Sequence, residues 1–396
     1  MNVFNHSKVN LDVLKKKAFN YRWAEVEDGI IPLTAADPDF PIAKEIQDDL
    51  IQYIQDGYLS YTPKLGLPGV CEAISKALKE RKNETISPSA ILPIDSAARA
   101  MFVTTQTLLN EGDEAIVFDP QDYLFKDAIL SAKATPVFVP MKFDGTNIDL
   151  SHVESYITSK TKILTLCNPH NPLGYMYTKK DLEFLLALAK KYDLWIMNDE
   201  IWSDIVYPEK QFQSILNLDT EMDQKIVSVY GFSKAFGIAG LRAGILYTHN
   251  EEVFQKCIDN SFVMSTAGGI TSLSQIAMQT CVEKCYYWTD EFVDYLKTNR
   301  DYALTRIAKM PLIHCHKPEA TYLLFPNISE TKMSSEEFVD YLKDHAKLAL
   351  VPGTVKFFGP GAEGHVRICF STSFEILKEG LDRLEMALND LVKQHG

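Results

Sequence analysis

The sequence predicts an α/β chain: a large domain with a mostly parallel central sheet flanked by helices, plus a smaller α+β domain from the N- and C-terminal parts. Three observations predict it. Short apolar runs alternate with amphipathic helical runs through the middle of the chain, the pattern of a parallel sheet with helical crossovers. Beyond about residue 310 the pattern changes, and residues 321–325 and 365–370 read as strands of a second sheet. The length, 396 residues at 46% hydrophobic and 23% charged, suits roughly two domains with a sizeable core.

The elements follow in order. The first 45 residues are polar and irregular and are expected to pack back on the small domain. Residues 115–118 and 162–167 read as buried strands. Thr178-Lys179-Lys180-Asp181 reads as a helix start, with Thr178 as cap and Asp181 reaching back. Leu182, Leu185, Leu186 and Ala189 then recur at i, i+3, i+4 and i+7, one face of that helix. Residues 194–197, 225–230 and 243–247 complete the strand set. A long helical stretch runs from about 285 to 310, and a final amphipathic helix from about 374 to 392. The expected division is an N-terminal segment 1–45, a large domain 46–289 and a small C-terminal domain 290–396.

Composition excludes several function classes. Lys+Arg is 40 against 53 Asp+Glu, a net charge of -13, which repels phosphate backbones, so nucleic acid is not an expected partner. No run of 18 apolar residues and no apolar leader stands in the sequence, so neither a membrane span nor a signal peptide is expected. Seven scattered cysteines suit reduced thiols in a cytoplasmic protein. Gly359-Pro360-Gly361-Ala362-Glu363-Gly364 fits GxGxxG but precedes a strand instead of opening a helix, so the dinucleotide reading fails. Cys281 with Cys285, and His314-Cys315-His316, lack a matched second pair, so no metal is expected.

In parallel sheets ligands sit outside the carboxyl ends of the strands, and the polar residues there are the candidates. After the 162–167 strand comes Asn168-Pro169-His170-Asn171-Pro172-Leu173-Gly174, also readable as a plain rigid turn. After the 194–197 strand comes Asn198-Asp199-Glu200-Ile201-Trp202, where Asp199 faces the crevice or caps a helix. After the 225–230 strand comes Gly231-Phe232-Ser233-Lys234. Desolvation among these apolar and small neighbours would lower the Lys234 pKa and free a neutral amine, whereas an isolated lysine is usually on the surface. Gly240-Leu241-Arg242-Ala243-Gly244 adds a guanidinium shaped for two oxygens of a phosphate or carboxylate. Together Asn171, Asp199, Lys234 and Arg242 are the set that a pyridoxal 5′-phosphate enzyme needs. A lysine holds the cofactor aldehyde as a Schiff base. A carboxylate keeps the pyridine nitrogen protonated. An amide donates to the phenolic oxygen, and an arginine with a helix N-terminus binds the phosphate.

On these motifs, with Ala36-Asp37-Pro38-Asp39-Phe40-Pro41 upstream and the Arg367 strand downstream, the sequence resembles the fold-type I pyridoxal phosphate enzymes of the aminotransferase class I/II group. The resemblance implies that Lys234 is the Schiff-base lysine and moves the α-proton. It implies that Asp199 partners the pyridinium, Asn171 the phenolic oxygen, and Ser233 and Arg242 the phosphate. Arg367 would grip the substrate α-carboxylate, with Ala36 and Asn171 also at the substrate. Tyr61, in Tyr61-Thr62-Pro63-Lys64-Leu65-Gly66, would reach the neighbouring subunit's phosphate, which implies a homodimer with shared active sites. The segment 262–269 would edge the site.

Three departures from the family pattern stand out. Pro93-Ile94-Asp95-Ser96-Ala97-Ala98-Arg99 replaces a Gly-Ser/Thr turn before the phosphate-binding helix. Asp95 beside a dianion is unfavourable unless it points away or caps the helix, while Ser96 and Ala97 still offer backbone N–H groups. Trp202 stands where the family has Tyr or His, and indole is a donor only, so packing is the expected role. The ring that stacks on the cofactor normally follows a Pro by two, but Pro120 is followed by Gln121, Asp122 and then Tyr123, which leaves Tyr123 one position late.

The function this implies is an amino-acid aminotransferase, passing an α-amino group to a 2-oxo acid in ping-pong order. The alternative is a carbon–sulfur β-lyase of the cystathionine β-lyase-like subgroup, which the segments 35–40, 168–172 and 199–204 also resemble. A non-catalytic regulator on the same fold would need an added DNA-binding domain, for which the chain has no spare residues. Arg22, Arg99 and Arg300 are open as a second arginine for dicarboxylic substrates.

Overall fold

The structure, a computed structural model, describes residues 3–395; Met1, Asn2 and Gly396, at the outer ends of the two expected terminal segments, lie outside the described residues. In chain order come α1 (Leu11–Lys17), β1 (Ile31–Pro32), α2 (Lys44–Gln55), α3 (Val70–Lys82), β2 (Ile91–Ile94), α4 (Ala97–Leu108), β3 (Glu114–Asp119), α5 (Tyr123–Ser131) and β4 (Thr135–Pro140). A short hairpin, β5 (Lys142–Phe143) and β6 (Ile148–Asp149), precedes β7 (Thr161–Cys167), α6 (Lys179–Tyr192), β8 (Trp195–Asp199), β9 (Ile226–Gly231), α7 (Ser233–Phe236) and β10 (Gly244–Tyr247). Then follow α8 (Glu251–Ser261), α9 (Ser272–Lys284), α10 (Tyr286–Ile307), β11 (Leu323–Leu324), α11 (Ser335–Ala346), β12 (Leu348–Ala349), β13 (Val351–Pro352), β14 (Val366–Cys369) and α12 (Phe374–His395).

The large sheet has the order β2-β10-β9-β8-β7-β3-β4. Its strands β9, β8, β7, β3 and β4 pair in parallel, and β10 runs against both β9 and β2. Central strand β9 is buried along its whole length, as expected where helices cover both faces. The helix start at Thr178 forms as the sequence indicates: Asp181 N–H donates to Thr178 Oγ1 at 3.2 Å and Thr178 N–H to Asp181 Oδ2 at 2.8 Å. It sets α6 so that Leu182, Leu185, Leu186 and Ala189 enter the core, each leucine contributing roughly 1.5–3 kcal/mol by burial.

The two sheet edges escaped the sequence pattern. β2 contains Pro93 and β4 contains Pro136 and Pro140. Proline cannot donate to a ladder and is tolerated mainly at an edge, and these two proline-bearing runs, absent from the expected strand set, form the edge strands. In the second sheet, ordered β11-β14-β13, β11 is shorter than residues 321–325 because Thr321 has a φ of 67°, outside strand geometry. α12 continues three residues past the expected end, and α10 runs unbroken through position 290.

The N-terminal segment lies against C-terminal elements. β1 pairs in parallel with β12, Ile31 opposite Leu348. Cys369 N–H donates to Leu33 O at 3.0 Å and Asp39 N–H to Ser371 O at 3.0 Å. The Phe4 ring packs on Trp288 and Phe292 of α10, at 4.9 and 5.1 Å between ring centres.

Candidate active site

The carboxyl ends of β7, β8 and β9 bring the candidates together. The register sets Cys167 beside Asp199 and Asp199 beside Val229; Asn171 follows β7 and Lys234 lies on the single turn α7 just past β9. Lys234 Nζ donates to Ala36 O at 2.7 Å, and Tyr322 OH donates to the same carbonyl at 3.2 Å. Trp202 is buried, packs edge-on against Tyr322 at 4.7 Å and stands 5.7 Å from Lys234 Nζ; it is a wall of the site. Desolvation lowers the Lys234 pKa, with Asp37 pulling the other way and Arg367 adding to the lowering. The amine is therefore biased toward its neutral, nucleophilic form.

Asp199 is buried at the end of β8 and accepts one hydrogen bond from Ile201 N–H at 3.0 Å. Desolvation, reinforced by the charges of Asp122 and Glu200, pushes its pKa up to about 7. A buried acid in that state is stabilised as a carboxylate only by a cation brought to it.

Arg367, in the middle strand of the small sheet, donates from Nη1 to Asn171 Oδ1 at 3.2 Å. Asn171 Nδ2 donates in turn to Asp122 Oδ2 at 2.8 Å, and Asp122 Oδ1 caps α5 by accepting from Leu124 N–H at 3.1 Å. The guanidinium is buried, burial lowers its pKa, and its Nε finds no hydrogen-bond partner among the described residues. No ion pair holds it among those residues either. A buried cation with spare donors is costly without an anion and matches a carboxylate in shape.

The opposite end joins a helix N-terminus to a free guanidinium. Ser96 Oγ accepts from Arg99 N–H at 3.0 Å and caps α4, leaving the N–H groups of the first turn, Ala97 included, without helical acceptors. Gly231 and Gly244 pair in register beside that turn. A Cβ on Gly244 would stand 2.5 Å from Ala97 N and Ser96 C, so only glycine lets the strand meet the helix end. Ser233 and Arg242 leave from these two glycines, and Arg242 is exposed with no ion pair among the described residues. Asp95 is exposed while Ser96 does the capping, so its carboxylate does not oppose an anion there.

Tyr123 opens α5, partly exposed, and its phenol feels both Asp122 and Arg367. Tyr61 is not drawn into the cluster: it is 92% exposed. Its stretch is tied to residues 262–269 by Lys64 Nζ donating to Met264 O at 2.5 Å, and to α9 by Gln275 Nε2 donating to Thr62 Oγ1 at 3.0 Å. Of the three open arginines, Arg22 is buried in an ion pair with Asp39, and Arg300 is held by Glu209 and Asp301 over the Tyr207 ring. Arg99 sits half-buried on the first turn of α4. The sequence reading missed Asp122 and Tyr322 as site residues. Asp122 carried a local signal, an Asp just before an apolar helical run; Tyr322 carried none.

These residues fit pyridoxal phosphate. They supply an amine poised toward neutrality, a buried acid whose pKa is raised, an arginine without an ion pair on the strand that meets a helix N-terminus, and a buried guanidinium with a spare donor. The GxGxxG stretch forms a turn over Pro360–Ala362 ahead of β14, and Gly361 N–H donates to Asp119 Oδ2 at 2.8 Å. Among the described residues no cluster of three or more His, Cys, Asp or Glu could hold a metal.

Comparison with known proteins agrees. Residues 28–384 match the sequence profile of aminotransferase class I and II. The chain is 33% identical over 364 residues to an aspartate aminotransferase of Thermotoga maritima, 91% of this chain and 92% of that protein. It resembles the aromatic aminotransferase of Pyrococcus horikoshii with a TM-score of 0.86 at 28% identity, covering 93% of this chain and 98% of the other. Cystalysin of Treponema denticola, crystallised with pyridoxal 5′-phosphate, shares the fold with a TM-score of 0.91 at 24% identity over 99% of this chain and 100% of that one.

Proposed function

This chain belongs to the class I and II aminotransferases, and on that premise we propose how its residues divide the work. The enzyme depends on pyridoxal phosphate and moves an α-amino group from an amino acid to a 2-oxo acid in ping-pong order. One observation carries the residue assignment: the half-buried Lys234 amine, bonded to the Ala36 carbonyl, feels the charge of Arg367, whose Nε has no hydrogen-bond partner among the described residues.

Arg367 and Asn171 bind the substrate α-carboxylate and so point Cα toward Lys234. Lys234 Nζ takes the proton from Cα and returns it on the far side of the transfer, while the Ala36 carbonyl orients the amine between the two steps. When bound, the cofactor supplies the carbonyl that holds the substrate nitrogen and the ring that accepts the electron pair left at Cα. Asp199 would pair with the ring nitrogen and Asn171 would donate to the phenolic oxygen. Ser96, Ala97, Ser233 and Arg242 would hold the phosphate. Tyr123 and Trp202 would flank the ring and exclude water.

A homodimer with shared sites is supported by an exposed apolar surface. Tyr58, Leu59, Tyr61 and Leu65 stand on one stretch, and Phe262 and Met264 on the stretch bonded to it. Tyr61 would then reach the partner's phosphate. The division into a large domain at 46–289 and a small one at 290–396, joined by α10, is retained. Cytoplasmic location is favoured by seven unpaired cysteines; no helix among the described residues is long and apolar enough to cross a membrane.

The test is amino transfer by holoenzyme to 2-oxoglutarate, followed as glutamate. Lys234→Ala should abolish it, and Arg367→Ala should lower kcat/KM for the donor by roughly a hundredfold or more through loss of a buried charge contact. Unchanged turnover in Lys234→Ala overturns the assignment. Pyruvate and ammonia from cystathionine without a 2-oxo acid would instead mark the β-lyase chemistry.

A further inference from the structure

Asp122 is the N-cap of α5 and uses both of its carboxylate oxygens. Oδ1 accepts from Leu124 N–H at 3.1 Å and Oδ2 from Asn171 Nδ2 at 2.8 Å. Asn171 Oδ1 in turn accepts from Arg367 Nη1 at 3.2 Å. The backbone around these side chains is pinned. Gln121 N–H donates to Phe358 O at 2.7 Å and Tyr123 N–H to Phe357 O at 3.0 Å, which ties Asp122 to the stretch leading into β14, the strand of Arg367. His170 N–H donates to Tyr175 O at 2.8 Å and Gly174 N–H to His170 O at 2.7 Å, closing the turn that carries Asn171.

One freedom is left. The terminal torsion of an asparagine is roughly two-fold, so the amide can turn over within nearly the same volume. The polarity of its partners decides between the two settings. A guanidinium only donates and a carboxylate only accepts, so Oδ1 has to face Arg367 and Nδ2 has to face Asp122. Leu124 N–H takes the other oxygen of the same carboxylate. Only an acceptor-only group at position 122 serves both donors. The place two past Pro120, where the family pattern has a ring, holds that carboxylate instead. Arg367 and Lys234 both act on its charge, so the cap of α5 also stands at the site.

We propose that Asp122 is a positioning residue for the substrate α-carboxylate: by setting the Asn171 amide with its oxygen toward Arg367, it holds the guanidinium in the orientation that receives the carboxylate. The inference rests on the aminotransferase reading, in which Arg367 is the anchor.

The test is binding of propionate, an unreactive monocarboxylate, to holoenzyme. A carboxylate on Arg367 adds negative charge near Lys234 and favours the protonated, yellow form of its link to the cofactor. The dissociation constant is read from that change in visible absorption. Asp122→Ser keeps a cap for α5 and removes the oxygen that faces Asn171. Its denaturation midpoint should stay near the parent's while propionate binds roughly tenfold more weakly. Asp122→Asn keeps the shape but offers one acceptor to two donors, and should show the same loss. In holoenzyme that already carries Asn171→Ala, adding Asp122→Ser should change propionate affinity by less than about twofold, because the residue acts through the amide. Parent-like affinity in both Asp122 variants, or a loss that persists in the Asn171→Ala background, overturns the proposal while leaving the transferase assignment intact. Unaltered propionate binding in Arg367→Ala removes the anchor, and the proposal falls together with the reading beneath it.

Discussion

Lys82 Nζ lies 3.1 Å from Glu200 Oε2 with both side chains sealed from solvent, one residue along the chain from Asp199. The other Glu200 oxygen accepts from Asn198 Nδ2 at 2.8 Å and Ser214 Oγ at 2.7 Å. Glu84 feels the Glu200 charge and accepts from Tyr247 OH at 2.7 Å. Burial and the Glu200 charge push the Glu84 pKa well up, whereas for Glu200 the opposing desolvation is overcome by Lys82 together with the hydrogen bonds it accepts, which hold it below its ordinary value. Burial thus disfavours a charge on Glu84, while the Lys82 ammonium favours one on Glu200, next to Asp199 in the chain.

Lys82→Met leaves Glu200 charged and uncompensated. Removing one partner of a buried pair costs about 3–5 kcal/mol, and the denaturation midpoint of the variant should fall accordingly. Lys82→Met with Glu200→Gln should recover part of the loss. A single variant within 1 kcal/mol of the parent, roughly the range of an exposed pair, would show that the network carries no such charge.

Gly244→Ala should act at the phosphate end. The added Cβ would stand 2.5 Å from backbone atoms of Ser96 and Ala97, and backbone cannot give way as a flexible side chain can. Overpacking of this kind costs about 1–3 kcal/mol, or roughly 5- to 150-fold in an equilibrium constant. Titration of apoenzyme with pyridoxal phosphate should show that weakening. Equal affinity in variant and parent would mean that the helix end is not the anion site.

Asp199 makes the apoenzyme sensitive to pH. Its pKa is about 7 when folded against an ordinary 3.8, so the folded state binds the proton more tightly than the unfolded chain. The stability this contributes is present below about pH 4 and is lost as pH rises to about 7, a change on the order of 4 kcal/mol. Asp199→Asn removes the titrating group. Unfolding midpoints of apoenzyme from pH 4 to 8 should therefore fall more steeply for the parent than for the variant, and parallel curves would contradict the assignment.

Much of the candidate site was legible because its signals are local. Asn171, Asp199 and Lys234 each follow a strand that apolar runs mark out, and Thr178 with Asp181 announces α6. The edge strands β2 and β4 were illegible because proline punctuates loops and edge strands alike. Asp95 looked troublesome in sequence and is harmless in space, since the adjacent Ser96 takes the cap and leaves the carboxylate outside.

What the sequence determined alone was the order of the elements and the chemical identity of the groups at the strand ends, because periodicity and turn chemistry act over a few residues. The folded chain decided which distant groups meet. Glu200 finds Lys82 across 118 positions and Arg367 finds Asn171 across 196. Such meetings are selected by packing and by the need to satisfy buried charge, forces that leave no mark on neighbouring letters.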